Sequence, residues 1–454
     1  MLTSGKAILS YGIIREDIFF VDSGHKLVIQ QWLYDILLFK VYEFFGKPGI
    51  FLMTLLLSLL FIFFAVRAMR YYRVDIRISI TAVLLVCIFS FGVFTIRPGL
   101  VTMVLLLIQI CICERFKKCG KPAFLFLLPL LTLSEINLHS TMWIAHFIFL
   151  LPYLVPIPDK LKKHIKLTDN HLPIKKLAMP LLCMAISLFV NPYGLDGITI
   201  LFKQGDISSL GITELNSPKL TSIYAIVFIL VLVVSAVLYG KTTIHSNNAF
   251  MLLGTSLLMM LHLRNLQMYS IGLIAILCDL LVLIPEAKLE KPVKKYHAAV
   301  AAVCTVLCFI ALGILLKINL PYYSFKDEPH DNVHTPVRAV KYLDEHAEKD
   351  ARIYTDFNGG SYISWNGYKI YFCSRTEGYC KDGNGGFDLV NEYNSIYSNK
   401  DTHCIDIYKT FLMRYDFDYL VVETENSMFP YLAESDEYKA VLYGNGYAVF
   451  MPEE

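Results

Sequence analysis

The chain has 454 residues, of which 55% are hydrophobic and 18% charged, and its formal net charge is +2 at pH 7. Soluble globular chains contain about 45–50% apolar residues, so this composition favours a membrane protein. The near-neutral charge indicates neither a nucleic-acid partner nor an acidic one.

Residues 1–48 are predicted to form an extracytoplasmic loop that ends in an amphipathic helix. The segment before residue 23 lacks the apolar core and the cleavage site of a secretory signal. Between residues 29 and 45, apolar side chains recur three to four residues apart, a pattern typical of a helix that lies in the membrane interface. This stripe consists of Trp32, Ile36, Phe39, Tyr42 and Phe45.

Apolar runs long enough to cross a bilayer recur from residue 49 to residue 317 and then stop. We therefore predict a polytopic α-helical membrane domain over residues 49–318, with about ten transmembrane helices of the length that the hydrocarbon layer requires. The predicted spans are 49–66, 77–95, 99–113, 122–134, 141–157, 177–190, 221–240, 249–263, 266–285 and 297–317.

The basic residues of the short loops predict the orientation, because such residues concentrate on the cytoplasmic side. Alternate loops are strongly basic, as in Arg67–Arg73, Arg115–Lys118 and Lys160–Lys166, so we place these loops in the cytoplasm. The opposite loops are predicted to face outward. They carry the motifs Arg97-Pro98, Glu135 to His139, Asn191 to Gly194, Glu214 to Pro218 and His262 to Asn265.

Residues 319–454 are predicted to form a small extracytoplasmic α/β domain, since the long apolar runs end there. Thr335-Pro336 predicts the start of a helix that runs to about Glu348. Asn366-Gly367 is a strong signal for a hairpin between two short strands. The predicted strands are 352–356, 361–365, 369–374, 419–423 and 447–450, and a second helix is predicted at 405–415.

Three cysteines fall in this C-terminal domain, and an outward location would permit a disulfide. The candidate pairs are Cys373 with Cys380 and Cys380 with Cys404, and free thiols are the alternative. The cysteines from Cys87 to Cys308 lie in or beside the apolar runs, where they act as small hydrophobic residues. No cysteine spacing indicates a zinc or redox site.

The ordered set of outward motifs resembles bacterial membrane proteins of the GT-C glycosyltransferase superfamily. The resemblance is greatest to the group related to protein O-mannosyltransferases and lipid A aminoarabinose transferases. It covers nearly the whole chain, although each motif alone is weak. The matching positions are Ser4 to Leu9, Gly12 to Phe19, Gln30 to Leu33, Arg97-Pro98, Asn137 to His139, Asn191 to Gly194, Glu214 with Ser217-Pro218, Arg264, Gly359 to Tyr362 and Phe372 to Arg375.

This resemblance implies that a sugar moves from a polyprenyl-phosphate donor to a glycan, lipid or protein acceptor at the outer face of the bacterial plasma membrane. A carboxylate would accept a proton from the acceptor, and a cation would stabilise the departing phosphate. The implied roles are Asp17 as catalytic base, Arg264 and Arg97 as donor phosphate ligands, and Asn137, His139, Glu214 and Trp32 as site-lining residues.

No ligand set for a metal can be read from the sequence, although a divalent metal is compatible with phosphate chemistry. No Gly-rich phosphate loop is present, and a transferase that uses a lipid-linked donor needs none. Members of the group begin with one more transmembrane helix and an acidic segment of the pattern D-x-D-x-x-x-H. The sequence here starts inside the later motif, so we expect either a longer natural chain or a non-catalytic relative.

Simpler roles exist for each candidate residue. Asp17 would serve as a loop cap, Arg264 as an interfacial side chain that reaches the headgroups, and Trp32 as an interfacial anchor. Two other functions also fit the sequence. One is a non-catalytic membrane relative whose outer domain binds glycan or a partner protein, and the other is a transporter of lipid-linked saccharides. The transporter is less favoured because no internal repeat is visible.

Overall fold

The computed structural model describes residues 1–158, 166–203, 212–239, 241–283, 329–375, 378–382, 384–398 and 404–453, together with a few isolated positions between these ranges. Its α-helices are α1 (Leu2–Tyr11), α2 (Trp32–Tyr71), α3 (Ile76–Phe89), α4 (Pro98–Cys119), α5 (Leu128–Leu138), α6 (Trp143–Leu154), α7 (Ile174–Ile186), α8 (Asp196–Thr199), α9 (Ile223–Leu238), α10 (Ser246–Leu261), α11 (Leu266–Leu280), α12 (Val337–His346), α13 (Gly360–Trp365), α14 (Leu389–Tyr397), α15 (Cys404–Tyr415) and α16 (Phe429–Glu434). Its strands are β1 (Leu167–Thr168), β2 (Ile244–His245), β3 (Arg352–Thr355), β4 (Lys369–Ile370), β5 (Tyr419–Glu423), β6 (Tyr438–Tyr443) and β7 (Tyr447–Pro452).

The chain divides into two compact units. We call Lys40–Leu195 with Thr213–Ser324 the helical unit, and Met1–Phe39 with Asp196–Ile212 and Phe325–Glu454 the sheet unit. The predicted domains 1–48, 49–318 and 319–454 differ in whether each part of the chain lies inside or outside a membrane. The two units do not test that placement, so it stays a prediction.

The helical unit is built from apolar helices, as the sequence predicts. Nine of the ten predicted spans coincide with helices of the described residues, and most of the tenth, 297–317, lies outside them. Among the described helices, two are both long enough and apolar enough to cross a membrane, namely α2 and α4. The number of transmembrane helices therefore stays a prediction.

Several helices of this unit, α2 and α9 among them, expose apolar side chains along their length. On α2 the exposed residues include Leu52, Leu56, Leu59 and Phe63, and α9 exposes residues such as Leu230 and Val233. In contrast, nearly all residues of α11 are buried. A helix that is apolar on every side is suited either to a protein core or to lipid, and the exposed apolar faces of α2 and α9 are compatible with the second environment.

Helix α2 combines the predicted amphipathic helix and the first predicted span, with a break at Gly46. Gly46 has φ +59°, a left-handed conformation that favours glycine, and Pro48 follows it. The side chains of Tyr34, Asp35 and Leu38 are buried, whereas Phe45 of the predicted apolar stripe is exposed. The location of this segment in the membrane interface stays a prediction.

The sheet unit contains a five-stranded mixed sheet in the order β4-β3-β5-β7-β6. Strand β3 pairs in parallel with β4 and β5, and β7 pairs antiparallel with β5 and β6. The predicted α/β fold is therefore confirmed for this unit, with β5 and β7 inside the sheet as predicted. Helices α12 and α15 confirm the two predicted helices, and α12 ends at His346, slightly earlier than predicted.

The predicted strand at 361–365 and its hairpin are wrong. Residues Gly360–Trp365 form α13, which connects the parallel strands β3 and β4. Parallel neighbours need such a crossover, whereas a two-residue turn joins only antiparallel strands. Gly360 is required at the start of this helix because a Cβ atom there would collide with the carbonyl oxygen of Phe372. Gly367, at φ +96°, lies in the turn that follows the helix.

The N-terminal segment extends the edge of this sheet. The N–H of Val21 donates to the carbonyl of Ile370 at 3.1 Å, and the N–H of Ile370 donates to the carbonyl of Phe19 at 2.9 Å. The His25 ring packs 4.3 Å from the Phe20 ring. These contacts hold the predicted N-terminal loop against the C-terminal strands. The sequence did not predict α1, which also belongs to this unit.

Cys373 is a free thiol whose Sγ lies 3.3 Å from the hydroxyl of Tyr379. A disulfide between Cys373 and Cys380 is therefore not formed in this structure. The side chain of Cys404 lies outside the described residues, so its pairing with Cys380 stays a prediction.

Asp356 predicts a pH-dependent stability of the sheet unit. Its carboxylate accepts hydrogen bonds from Tyr354, Asn426 and the backbone of Glu423. Burial, aided by the charge of Glu423, raises the pKa of Asp356 to about 7. Between pH 4 and 7 the folded state therefore holds a proton that the unfolded state has lost. We expect the free energy of unfolding to fall by about 1–4 kcal/mol as the pH rises through this window.

The measurement is the thermal midpoint of the full chain between pH 4 and 8. The fall of the thermal midpoint with rising pH should be smaller in Asp356→Asn, because the amide cannot ionise. A matched change at an exposed carboxylate, Asp350→Asn, should leave the dependence unaltered. An identical pH dependence in the wild type and in Asp356→Asn would contradict the assignment.

Candidate active site

Several of the predicted outward motifs meet at one end of the helical unit, where α4 begins and α5 ends. Arg97 precedes α4, and its Nη1 lies 2.6 Å from Oε2 and 2.9 Å from Oε1 of Glu214, which belongs to the short helical turn Thr213–Leu215. The two side chains are 60% and 37% exposed, so the pair contributes little to stability. It instead links two residues that the resemblance places in the site.

The turn that contains Arg264 lies beside the turn that contains Glu214. Arg264 is the central residue of the helical turn Leu263–Asn265, between α10 and α11. The N–H of Leu263 donates to the carbonyl of Asn216 at 3.0 Å, and the hydroxyl of Ser217 donates to the carbonyl of Leu261 at 2.9 Å. These bonds hold the loop that contains Arg264 in place without using its guanidinium group.

A buried polar cluster lies behind this surface, centred on Glu135 of α5. Thr102 of α4 donates from its hydroxyl to Oε1 of Glu135 at 2.5 Å. The same hydroxyl oxygen lies 2.9 Å from Nδ1 of His139, the residue that follows α5. Glu135 and Thr102 are fully buried, and His139 is 7% exposed. Since Thr102 uses its only proton on Glu135, Nδ1 of His139 must donate to the Thr102 oxygen.

Burial favours the neutral form of His139, and in that form Nε2 is a hydrogen-bond acceptor because Nδ1 carries the proton. His139 lies in the connection between two predicted spans, and burial lowers its pKa to about 4. The charge of Glu135 opposes this shift, and the positive charge of Arg264 reinforces it. Arg264 is thus electrostatically close to His139.

The second oxygen of Glu135 faces a histidine and glutamine pair. Oε2 of Glu135 lies 3.4 Å from Nε2 of His146 on α6. Nδ1 of His146 lies 2.6 Å from Oε1 of Gln109 on α4, and Nε2 of Gln109 donates to the backbone carbonyl of His146 at 2.8 Å. Both carboxylate oxygens are therefore engaged, and the cluster ties α4, α5 and α6 together.

Asn137 lies beside this cluster. Its amide donates to the carbonyl of Leu133 at 2.9 Å within α5. Asn191, from another outward motif, donates from its side chain to the carbonyl of Ile136 and accepts from the N–H of Tyr193 at 2.8 Å. These asparagines satisfy backbone groups at the end of α5, which positions Asn137 and His139.

Asp17 and Trp32 belong to the sheet unit. The carboxylate of Asp17 is 4% exposed, accepts from the N–H of Phe19 at 2.9 Å and lies 3.7 Å from Nη2 of Arg375. The Arg375 guanidinium lies over the Phe19 ring at 4.3 Å. Trp32, at the start of α2, is half-buried. The catalytic role of Asp17 stays a prediction.

Thr102, Gln109 and His146 were not predicted from the sequence, and no role was predicted for Glu135. Two signals could have identified them. Glu135 and His139 are four residues apart and so lie on one face of a helix. Gln109 and His146 are polar residues inside apolar runs, where such residues are rare and usually face a partner.

Within the described residues, no group of three or more His, Cys, Asp or Glu side chains is arranged to hold a metal ion. The divalent metal that is compatible with the predicted chemistry stays a prediction.

Glu135→Ala is expected to destabilise the helical unit by about 2–4 kcal/mol, because the buried Thr102 hydroxyl would lose its acceptor and the buried cluster would lose its central carboxylate. The measurement is the free energy of unfolding in detergent. Glu214→Ala is the matched control, and since Glu214 is more exposed, its effect should stay within about 1 kcal/mol. Equal effects of the two substitutions would contradict this role for Glu135.

The comparisons with known proteins agree with this architecture. No protein-family model matches the chain, and no curated protein matches its sequence. The structure is similar to that of an oligosaccharyltransferase from Archaeoglobus fulgidus, solved with a tethered acceptor peptide that contains the NVT sequon. The TM-score is 0.56 at 9% sequence identity, and the match covers 92% of this chain and 64% of that one, so the chain spans less than two thirds of its length. The likeness supports the GT-C fold that the sequence resemblance implied, while the specific group within that superfamily stays a prediction.

Proposed function

We propose that this protein is a membrane glycosyltransferase that moves a sugar from a polyprenyl-phosphate donor to an acceptor of the bacterial cell envelope. The observation that carries the proposal is the oligosaccharyltransferase-like fold across 92% of the chain. The polar surface formed by Arg97, Glu214 and the Arg264 turn supports it, because the resemblance assigns these residues to the donor site. The exposed apolar faces of α2 and α9 support a location in the plasma membrane.

In the proposed reaction, the acceptor's nucleophilic group attacks the anomeric carbon of the sugar. The bond between that carbon and the phosphate oxygen breaks, and polyprenyl phosphate leaves with the electron pair. The proton lost by the acceptor passes to Asp17 as general base. Arg264 stabilises the negative charge that develops on the departing phosphate, and Arg97 assists it.

His139 has a distinct role in this proposal. Its neutral ring would present Nε2 as an acceptor for a donor or sugar hydroxyl, while Glu135 and Thr102 hold the ring in one orientation. Asn137 and Glu214 would line the same surface, and Trp32 is proposed, from the resemblance alone, as a further site-lining residue. Glu135 is therefore proposed as a positioning residue, since both its oxygens already have protein partners.

The proposal is tested with the purified full chain in detergent and a panel of short-chain polyprenyl-phosphate sugars that carry a radioactive sugar. The similar archaeal structure contains an acceptor peptide, so peptides belong in the acceptor panel together with glycans and lipids. Transfer of label to any acceptor supports the proposal. Absence of transfer from every donor, together with measurable glycan binding, would instead favour a non-catalytic envelope protein.

A further inference from the structure

The helical unit contains a cavity of about 460 Å³ that the proposed reaction does not use. It lies where α2 and α4 end and where residues 241–245 lead into α10. We call it the basic cavity, because its lining includes Arg73, Lys117, Lys118 and Lys241. A cavity of this size accommodates a small ligand or the headgroup of a lipid.

The acidic residues of this cavity are already satisfied by the protein. Glu114 accepts from Lys117 at 2.8 Å, from the hydroxyl of Tyr72 at 2.8 Å and from that of Tyr153 at 3.0 Å. Each of these contacts involves the same oxygen, so Glu114 forms a compact neutralised centre with Lys117 on the cavity wall.

Asp279 also has protein partners for both of its carboxylate oxygens. Its Oδ1 lies 2.6 Å from Nδ1 of His245, and its Oδ2 accepts from the N–H of His245 at 2.8 Å and from Asn248 at 3.0 Å. Both acids are at most 4% exposed, and among the described residues they pair with Lys117 and His245 and not with the other cations of the lining.

Three cations of the lining are left over. Arg73, Lys118 and Lys241 form no ion pair with any residue in the part of the chain that the structure describes. Lys118 lies over the Tyr71 ring at 5.0 Å, and the positive charges of Arg73, Arg67 and Arg70 outnumber the one negative charge, that of Glu114, that also acts on it. Like charges gathered in a concave surface repel one another and attract an anion.

The backbone at Arg73 supports a functional reason for this arrangement. Arg73 has φ +66°, a left-handed conformation that is uncommon for residues other than glycine. The turn is held by Arg70, whose Nη1 donates to the carbonyl of Val74 at 2.6 Å. A strained turn that places an arginine at a basic cavity is typical of binding sites.

We propose that the basic cavity binds the phosphate group of an anionic lipid headgroup or of a soluble phosphate ester. Arginine and lysine are the residues that recognise phosphate through charge-assisted hydrogen bonds, and three of them remain available here. The site is distinct from the candidate active site. Lys118 and Thr102 are 16 residues apart on α4, which corresponds to about 24 Å along the helix axis.

The test uses the purified full chain in detergent and isothermal titration with two probes. Dihexanoyl phosphatidate represents the lipid headgroup, and glycerol 3-phosphate represents the soluble ester. We expect Lys118→Gln/Lys241→Gln to weaken binding of the tighter probe by about tenfold or more. The charge-preserving Lys118→Arg/Lys241→Arg should bind within about threefold of the wild type.

Lys121 and Lys175 provide a matched control, since both are exposed and lie outside the cavity lining. Lys121→Gln/Lys175→Gln should bind within about twofold of the wild type, because solvent screens distant surface charges. If Lys118→Gln/Lys241→Gln does not fold, Arg73→Gln is tested in its place, and it too should weaken binding of the tighter probe.

The two probes separate the sources of phosphate. Tighter binding of the lipid supports a headgroup site, and equal or tighter binding of the ester supports a soluble ligand. The proposal is overturned if neither probe binds the wild type, or if loss of the cavity cations leaves the affinity unchanged.

Discussion

Arg264→Gln is expected to lower kcat/KM for sugar transfer by about 10²–10³-fold. The guanidinium would stabilise charge that develops only as the phosphate departs, so its loss acts mainly on the transition state. The backbone contacts of Leu263 and Asn265 hold the turn independently of the Arg264 side chain, so the fold should persist. The measurement is transfer from a short-chain polyprenyl-phosphate sugar under subsaturating donor.

Lys219→Gln is the matched control for this change. Lys219 is an exposed cation in the same outward loop region, and its removal should alter kcat/KM by less than about twofold. Arg264→Lys should recover part of the activity, because the charge remains but the paired N–H groups are lost. If Arg264→Gln and Lys219→Gln are equally active, Arg264 does not contact the donor phosphate.

Asp17→Asn is expected to lower kcat by about 10²–10⁴-fold while donor binding is retained, because an amide cannot accept the proton of the acceptor. The substitution keeps an oxygen that accepts from the N–H of Phe19, so the local turn should survive. It also leaves the Arg375 guanidinium without its carboxylate neighbour, which predicts a modest fall in stability. The measurements are single-turnover transfer and direct donor binding.

Asp22→Asn provides the control in the same N-terminal segment. Asp22 also faces an arginine, with Oδ1 2.8 Å from Nη2 of Arg352, but it is 40% exposed. Its neutralisation should change stability by no more than about 1 kcal/mol and should leave transfer intact. If both variants lose turnover, or if both keep it, Asp17 acts only as part of the loop and not as the catalytic base.

Periodic and local features of this fold could be predicted from the sequence. Helices such as α4 and α11 follow from apolar runs of sufficient length, since an isolated apolar helix must be buried or placed in lipid. The motifs that contain Arg97, Glu214 and Arg264 were predicted to face one side, and the structure brings the first two into an ion pair beside the turn of the third.

Some local predictions failed because long-range pairing overrode local preference. Residues 361–365 are rich in side chains that favour strands, namely Tyr362, Ile363 and Trp365, but the parallel pairing of β3 with β4 requires a crossover there. Strand propensity is decided largely by neighbouring strands, which are far away in sequence. The same reason explains why the contact of the N-terminal segment with Ile370 was not foreseen.

Local pattern was enough to predict the apolar helices among the described residues between 49 and 283, the α/β character of the C-terminal region and the motifs of the candidate site. Long-range packing was needed to bring Thr102, Glu135 and His146 into one buried cluster and to place Arg73, Lys118 and Lys241 around one cavity. Periodicity places a residue on a helix face. Which faces meet depends on packing between helices that are distant in sequence, and that packing determines which polar groups find partners.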